Sequence, residues 1–302
     1  MDRRQFLAGV AGAAGVALTA RAQTVPERPQ PPVVLPAVRP KARLKQGLMR
    51  VNFGPNTKLS FDDMCREAAK IGFKGFDLIG PEDWPTLTKH GLVPTMAGAG
   101  PVTFQNGLIH TEVHGTLEQG LREYIDMCAS HGVTNIISVG GQRRGMSPAE
   151  GADHAVAFLN RVKGHLEARG VTLCIENMNH KYTDPNFGRV DQMFAHPQWG
   201  FDVCRRVGSA NVKVLFDIYH AQVMAGDLVA TIRENFQWIA HYHTAGVPGR
   251  TDIDHTQEIN YRFVAQVLSD LGYTGYISHE FRPAPGHDPL DCLREAFAII
   301  DV

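Results

Sequence analysis

From about Leu44 onward, short apolar runs alternate with segments whose apolar positions recur at helical spacing, and the alternation continues to the end of the chain. Strand-like runs fall at Gly47–Phe53, Gly75–Ile79, Val93–Ala97, Asn135–Val139, Val171–Glu176, Val212–Asp217, Ile239–Thr244 and Tyr276–Phe281. Between them, segments such as SFDDMCREAAKIG, SPAEGADHAVAFLNRVKGHLEARG and NYRFVAQVLSDLG carry the period of helices with one buried face. Ser60 and Ser147 stand where N-caps belong, and Gly72, Gly132, Gly170 and Gly272 follow last helical turns. Eight strands alternating with eight helices predict a single (β/α)8 barrel over residues 44–302. A doubly wound open sheet is the alternative. The strand count and the lack of a glycine-rich phosphate turn after the first strand weigh against it.

The pattern changes upstream. Asp2-Arg3-Arg4-Gln5-Phe6-Leu7 and the apolar stretch Ala8–Thr19 have the form of a twin-arginine export signal, and Ala20-Arg21-Ala22 offers a small-x-small cleavage site. Residues 1–22 are therefore expected to be a signal peptide, with a periplasmic destination and no membrane anchor after cleavage. The apolar stretch is short for a spanning helix. Residues 23–43 hold six prolines, whose missing amide donors and fixed φ exclude regular structure; this reads as an extended linker.

Composition adds limits. With 302 residues, 43% of them hydrophobic, the chain can bury a large core. A net charge of −1 gives no global attraction for nucleic acid or anionic membrane. Cys65, Cys128, Cys174, Cys204 and Cys292 are odd in number, widely spaced and inside predicted elements, so they read as buried thiols.

The chemistry lies at the ends of four successive runs. VTLCIEN, VKVLFDIYH, IAHYHTAG and YISHEF deliver Glu176, Asp217, His243 and Glu280, and a (β/α)8 barrel collects functional residues where its strands end. Side chains alternate faces along a strand. Glu176 shares a face with Cys174, Asp217 with Leu215, His243 with His241 and Glu280 with Ser278, while Ile175, Phe216, Tyr242 and Phe281 would face the helices. Three carboxylates and one imidazole suit a hard-to-borderline divalent cation, Mn²⁺ or Mg²⁺ first and Co²⁺ as the alternative. His241 would sit one layer below His243 as an orienter or a core histidine. His180 and Lys181, the run Gln142-Arg143-Arg144, and His110 and His114 are weaker candidates near the mouth, and Trp84 and Phe104 for a pocket wall.

Together, IEN at 175–177, FDIYH at 216–220, HYHTAGVPGR at 241–250, QEINY at 257–261 and GYISHEFRP at 275–283 resemble the hydroxypyruvate isomerase family, a group of xylose isomerase-like TIM barrels. The His241-x-His243 pair is similar to the ketose 3-epimerases of the same barrel class. The resemblance implies that Glu176 and Glu280 are both metal ligands and the acid/base pair, with Asp217 and His243 completing the metal site. It further implies that His220 and Arg250 hold substrate oxygens and that Glu258 shapes the rim. The expected activity is a metal-dependent isomerisation or epimerisation of a small keto acid or ketose through an enediolate. A lyase or dehydratase acting on a keto-sugar or inosose is the alternative, as is a non-catalytic periplasmic sugar-binding protein. An endonuclease on this barrel would need more histidine ligands and a basic face. By analogy with relatives, the chain could form homo-oligomers.

Overall fold

The computed structural model describes residues 44–181, 183–184 and 188–302, so the twin-arginine-like segment and the proline-rich linker lie outside the described residues. Eight parallel strands form one sheet: β1 (Lys45–Leu48), β2 (Gly75–Asp77), β3 (Val93–Met96), β4 (Asn135–Ser138), β5 (Thr172–Glu176), β6 (Val212–Asp217), β7 (Ile239–Thr244) and β8 (Tyr276–His279). β1 pairs with both β2 and β8. The sheet closes between β3 and β4 through Ala97, whose N–H donates to the Asn135 carbonyl at 2.8 Å. The barrel is therefore complete.

Helices cover it outside: α1 (Phe61–Ile71), α2 (Trp84–Lys89), α3 (His114–Ser130), α4 (Pro148–Arg169), α5 (Pro197–Val207), α6 (Ile218–Met224), α7 (Leu228–Asn235), α8 (Tyr261–Asp270) and α9 (Pro289–Ile300). Ser60 caps α1 by accepting from the Asp63 N–H, and Ser147 caps α4 by accepting from the Glu150 N–H. Gly72 and Gly170 end those helices in the left-handed region, where a side chain would be strained. All five cysteines are buried free thiols. Among the described residues, no helix is long and apolar enough to cross a membrane.

Three expected strands end early. The first stops at Leu48, and Arg50–Phe53 forms a 3-10 turn instead, because Asn52 turns back to accept from the Met49 N–H at 2.7 Å. The second stops at Asp77, because Leu78 takes a left-handed φ of 58°. The eighth stops at His279, leaving Glu280 just beyond it. α6 and a short hairpin pairing Thr183–Asp184 with Gly188–Arg189 were not expected.

Inside the barrel the two halves differ. Met96, Ile137, Cys174 and Leu215, from β3 to β6, form a small apolar cluster separate from the main core. Asp77, Thr95, His241 and Ser278 are buried polar residues on β2, β3, β7 and β8. Ile175, Phe216, Tyr242 and Phe281 belong to the core between sheet and helices, as strand alternation requires.

Candidate active site

Glu176 ends β5, Asp217 ends β6, His243 is the penultimate residue of β7 and Glu280 follows β8, so adjacent strands bring four side chains to one point. Each offers a ligand atom within 4.8 Å of the others. His243 Nδ1 lies 3.1 Å from Glu176 Oε1 and 2.9 Å from Glu280 Oε2. Glu280 Oε2 is buried yet receives no hydrogen bond. A buried carboxylate oxygen left in that state, facing two more carboxylates and an imidazole nitrogen, fits a divalent cation.

Beneath this group lies a network built on Asp77, a residue that the sequence did not single out. Asp77 Oδ2 is 2.7 Å from His241 Nε2 and 2.9 Å from His243 Nε2, while Oδ1 accepts from Ser278 Oγ at 2.9 Å and also from Thr95 Oγ1. Asp77 with the two histidines could itself be read as a cation site. Both Asp77 oxygens, however, already accept two hydrogen bonds each, whereas Glu280 Oε2 accepts none. Donating from Nε2–H to Asp77 fixes His243 with Nδ1 turned toward the carboxylates. His241 is thus an orienting partner in the buried layer below.

Asn177 bridges two strand ends: its Oδ1 accepts from the Asp217 N–H, and its Nδ2 donates to the Asp217 carbonyl, both at 3.0 Å. Asp217 in turn caps α6, accepting from the His220 N–H at 2.9 Å. Asn179 Nδ2 donates to His220 Nδ1 at 2.7 Å, because its Oδ1 is already taken by the Lys181 N–H. His220 therefore carries its proton on Nε2, 3.6 Å from Asp217 Oδ2 and with no hydrogen bond there. Arg250 reaches in from the β7 loop, 2.5 Å from Glu280 Oε1 and 3.6 Å from Asp217 Oδ2, with its own backbone at a left-handed φ of 58°.

The electrostatics are uneven. Burial, and then the Glu280 charge, push the Glu176 carboxyl up. Burial also raises Glu280, but Arg250 and His243 outweigh it and hold that carboxyl well below its usual range. Asp217 is pushed up to about 7, by burial that Arg250 only partly offsets. His243 is desolvated too, yet Glu280, Asp77 and Glu176 raise it well above an ordinary imidazole. Burial, reinforced by Arg250, keeps His220 neutral. The two carboxyls that flank His243 Nδ1 are thus shifted in opposite directions.

The other expected residues are dispersed. Glu258 is exposed and accepts from Gln222 Nε2 at 3.1 Å. His110 and His114 are both buried, His114 bonding the Leu108 carbonyl and packing on Phe158. Trp84 is buried packing, with its indole N–H on the Ile79 carbonyl. His180 bonds the Gln192 carbonyl, and Arg143 pairs with Asp191. A cavity of about 660 Å³ between the β1 and β8 loops touches none of the four ligand-type residues.

Comparison with known proteins agrees with this fold. A 2-oxo-tetronate isomerase from Cupriavidus necator is 38% identical over 120 residues, 39% of this chain and 43% of that one. A putative hydroxypyruvate isomerase from Danio rerio is 29% identical over 160 residues, covering 53% of this chain and 55% of the relative. The chain thus spans about half the length of these curated relatives. The crystal structure of a 3-keto-D-glucoside 4-epimerase from E. coli superposes with a TM-score of 0.69 at 18% identity, over 85% of this chain and 99% of that one, which shows a shared fold. The family model described as a xylose isomerase-like TIM barrel matches residues 65–300, and the chain belongs to that family.

Proposed function

We propose that this chain is a metal-dependent isomerase or epimerase that moves a proton at the carbon beside a carbonyl of a small ketose or keto acid. The observation that carries this reading is the pair Glu176 and Glu280, which flank His243 Nδ1 at 3.1 and 2.9 Å and are pushed in opposite directions by their surroundings. Pure binding needs no such opposed pair. The relatives named as isomerases support the same class.

Glu176, Asp217, His243 and Glu280 would hold a divalent cation, Mn²⁺ or Mg²⁺ by donor type, which would polarise the substrate carbonyl and favour charge on its oxygen. Glu280, kept ionised by Arg250 and His243, accepts the carbon-bound proton. Glu280 then returns that proton, or Glu176, on the other side of His243 Nδ1, returns one drawn from solvent. Return to the neighbouring carbon isomerises the substrate; return to the opposite face of the same carbon epimerises it. His220 donates from Nε2–H to a substrate oxygen, with Asn179 fixing that tautomer. Arg250 steadies Glu280 and gives a second donor at the mouth.

The test is deuterium uptake from D₂O by the Mn²⁺-supplemented protein, followed by NMR across ketoses, keto acids and inososes. Exchange beside a carbonyl is expected, and Glu280→Gln should lower its rate at least about 100-fold, as removal of a positioned base does. No exchange on any substrate, with sugar binding retained, would leave a binding protein instead.

A further inference from the structure

Outside the candidate active site, Asp252 of the β7 loop, His287 of the β8 loop and Cys292 of α9 each offer one oxygen, nitrogen or sulfur atom, all within 4.8 Å of one another. Asp252 and Cys292 are buried, and the His287 side chain is 46% exposed. All three stand on fixed backbone. Asp252 Oδ1 accepts from the Ala284 N–H at 2.7 Å, which ties one loop to the other and leaves Oδ2 for its neighbours. The His287 N–H donates to the Ala284 carbonyl at 3.0 Å. Cys292 lies near the start of α9, where its N–H donates to the carbonyl of Asp288, the residue whose side chain caps that helix. His287 Nδ1 donates to Asp252 Oδ2 at 2.8 Å, and the Cys292 thiol bonds the same carboxylate. Among the described residues, Cys65, Cys128, Cys174 and Cys204 join no such group.

Two protons thus converge on one carboxylate, in a place where a cation would satisfy all three groups at once. A sulfur, an imidazole nitrogen and a single carboxylate select a borderline ion, Zn²⁺ rather than Mg²⁺ or Mn²⁺. The donors around a tetrahedral zinc stand about 3–4 Å apart, given bonds of about 2.0–2.3 Å, and the half-exposed His287 ring is free to close the remaining gap. The trio of Asp77, His241 and His243 differs, since it offers no sulfur and its carboxylate is filled by four hydrogen bonds. His287 also lines the cavity of about 660 Å³ between the β1 and β8 loops, which gives an ion a way in and leaves room for water as a fourth ligand. We infer that Asp252, His287 and Cys292 bind Zn²⁺ through carboxylate, imidazole and thiolate, clipping the β7 and β8 loops to α9. The inference stands independently of the function proposed above.

The test is a titration of the full chain, reduced and stripped of metal by a chelator, with Co²⁺ as a spectroscopic stand-in for Zn²⁺. A thiolate bound to Co²⁺ gives an intense near-ultraviolet charge-transfer band. Carboxylates and imidazole alone do not, so the band reports this cluster and not Glu176, Asp217, His243 and Glu280. The band should saturate at a single thiolate-bound ion per chain and bleach when Zn²⁺, which binds such donors more tightly, displaces the cobalt. Cys292→Ser should abolish it. His287→Ala should weaken the Co²⁺ affinity read from it at least about 10-fold, the least that losing a hydrogen-bonded partner of a metal ligand costs. No band at saturating Co²⁺, a band that survives Cys292→Ser, or unchanged affinity in His287→Ala would overturn the assignment. Should Cys292→Ser fail to fold, His287→Ala, a change at a half-exposed loop position, decides alone.

Discussion

Asp217 performs two tasks with one carboxylate: Oδ1 caps α6 and Oδ2 faces the ligand cluster. Burial pushes its pKa up to about 7, so below that pH it carries a proton that an incoming cation must displace. Glu176, also raised, adds to the competition. Mn²⁺ affinity should therefore fall as pH drops from 8 to 6, by up to about tenfold per unit for each proton displaced. Calorimetric titration at the two pH values checks this, and equal affinities would contradict it. The same shift bears on stability. A folded carboxyl that keeps its proton up to about 7, against 3.8 for an ordinary aspartate, contributes less as pH rises through that window unless a cation takes the proton's place. At this scale, strand-end position and side-chain parity were enough to pick out Glu176, Asp217, His243 and Glu280 from sequence. Asp77 escaped because its run reads as continuing to Ile79, which puts the aspartate mid-strand; only the left-handed Leu78 reveals that the strand ends there. Asn177 and Asn179 lie in a polar loop, where their cross-strand partners are invisible to local pattern.

At the level of elements, periodicity recovered all eight barrel strands, while their exact ends depended on side-chain bonds. IYHAQVM follows VKVLFD without a break in hydrophobicity, so α6 was hidden; the break is made by Asp217 accepting from the His220 N–H. β1 shows how an element can serve the site without contributing a ligand. A Cβ at Gly47 would lie 2.3 Å from Ser278 Oγ and 3.1 Å from Thr95 Oγ1, the two hydroxyls that bond Asp77. Glycine is required here by close approach, not by φ. Gly47→Ala should force Ser278 to rotate off Asp77, lowering stability by about 1–3 kcal/mol in urea denaturation. Because both changes break the same bond, the loss in Gly47→Ala/Ser278→Ala should be smaller than the sum of the single losses. Simple additivity would mean that Gly47 matters for some other contact.

Across the whole molecule, the barrel interior divides its labour. The β3–β6 side is filled by Met96, Ile137, Cys174 and Leu215, and the β7–β2 side by the hydrogen-bonded Asp77, His241 and Ser278. Apolar packing is non-directional and contributes stability, whereas the buried network is directional and fixes the angle at which His243 presents Nδ1. The border runs between neighbouring strands, because Asp77 on β2 is the register partner of Met96 on β3. Two substitutions at that border should therefore fail differently. Met96→Ala opens a cavity in the apolar half and should lower stability by about 2–5 kcal/mol while leaving Mn²⁺ affinity close to wild type. Asp77→Asn keeps the volume but replaces an acceptor shared by two imidazoles with an amide that can no longer satisfy both. Mn²⁺ affinity should weaken about 10- to 100-fold, as loss of an orienting carboxylate does elsewhere. Urea denaturation and Mn²⁺ titration on both variants separate the two effects. If Met96→Ala loosened the cation as much as Asp77→Asn, the interior would have to be a single coupled unit, and His243 would owe its orientation to packing on every side rather than to the carboxylate beneath it.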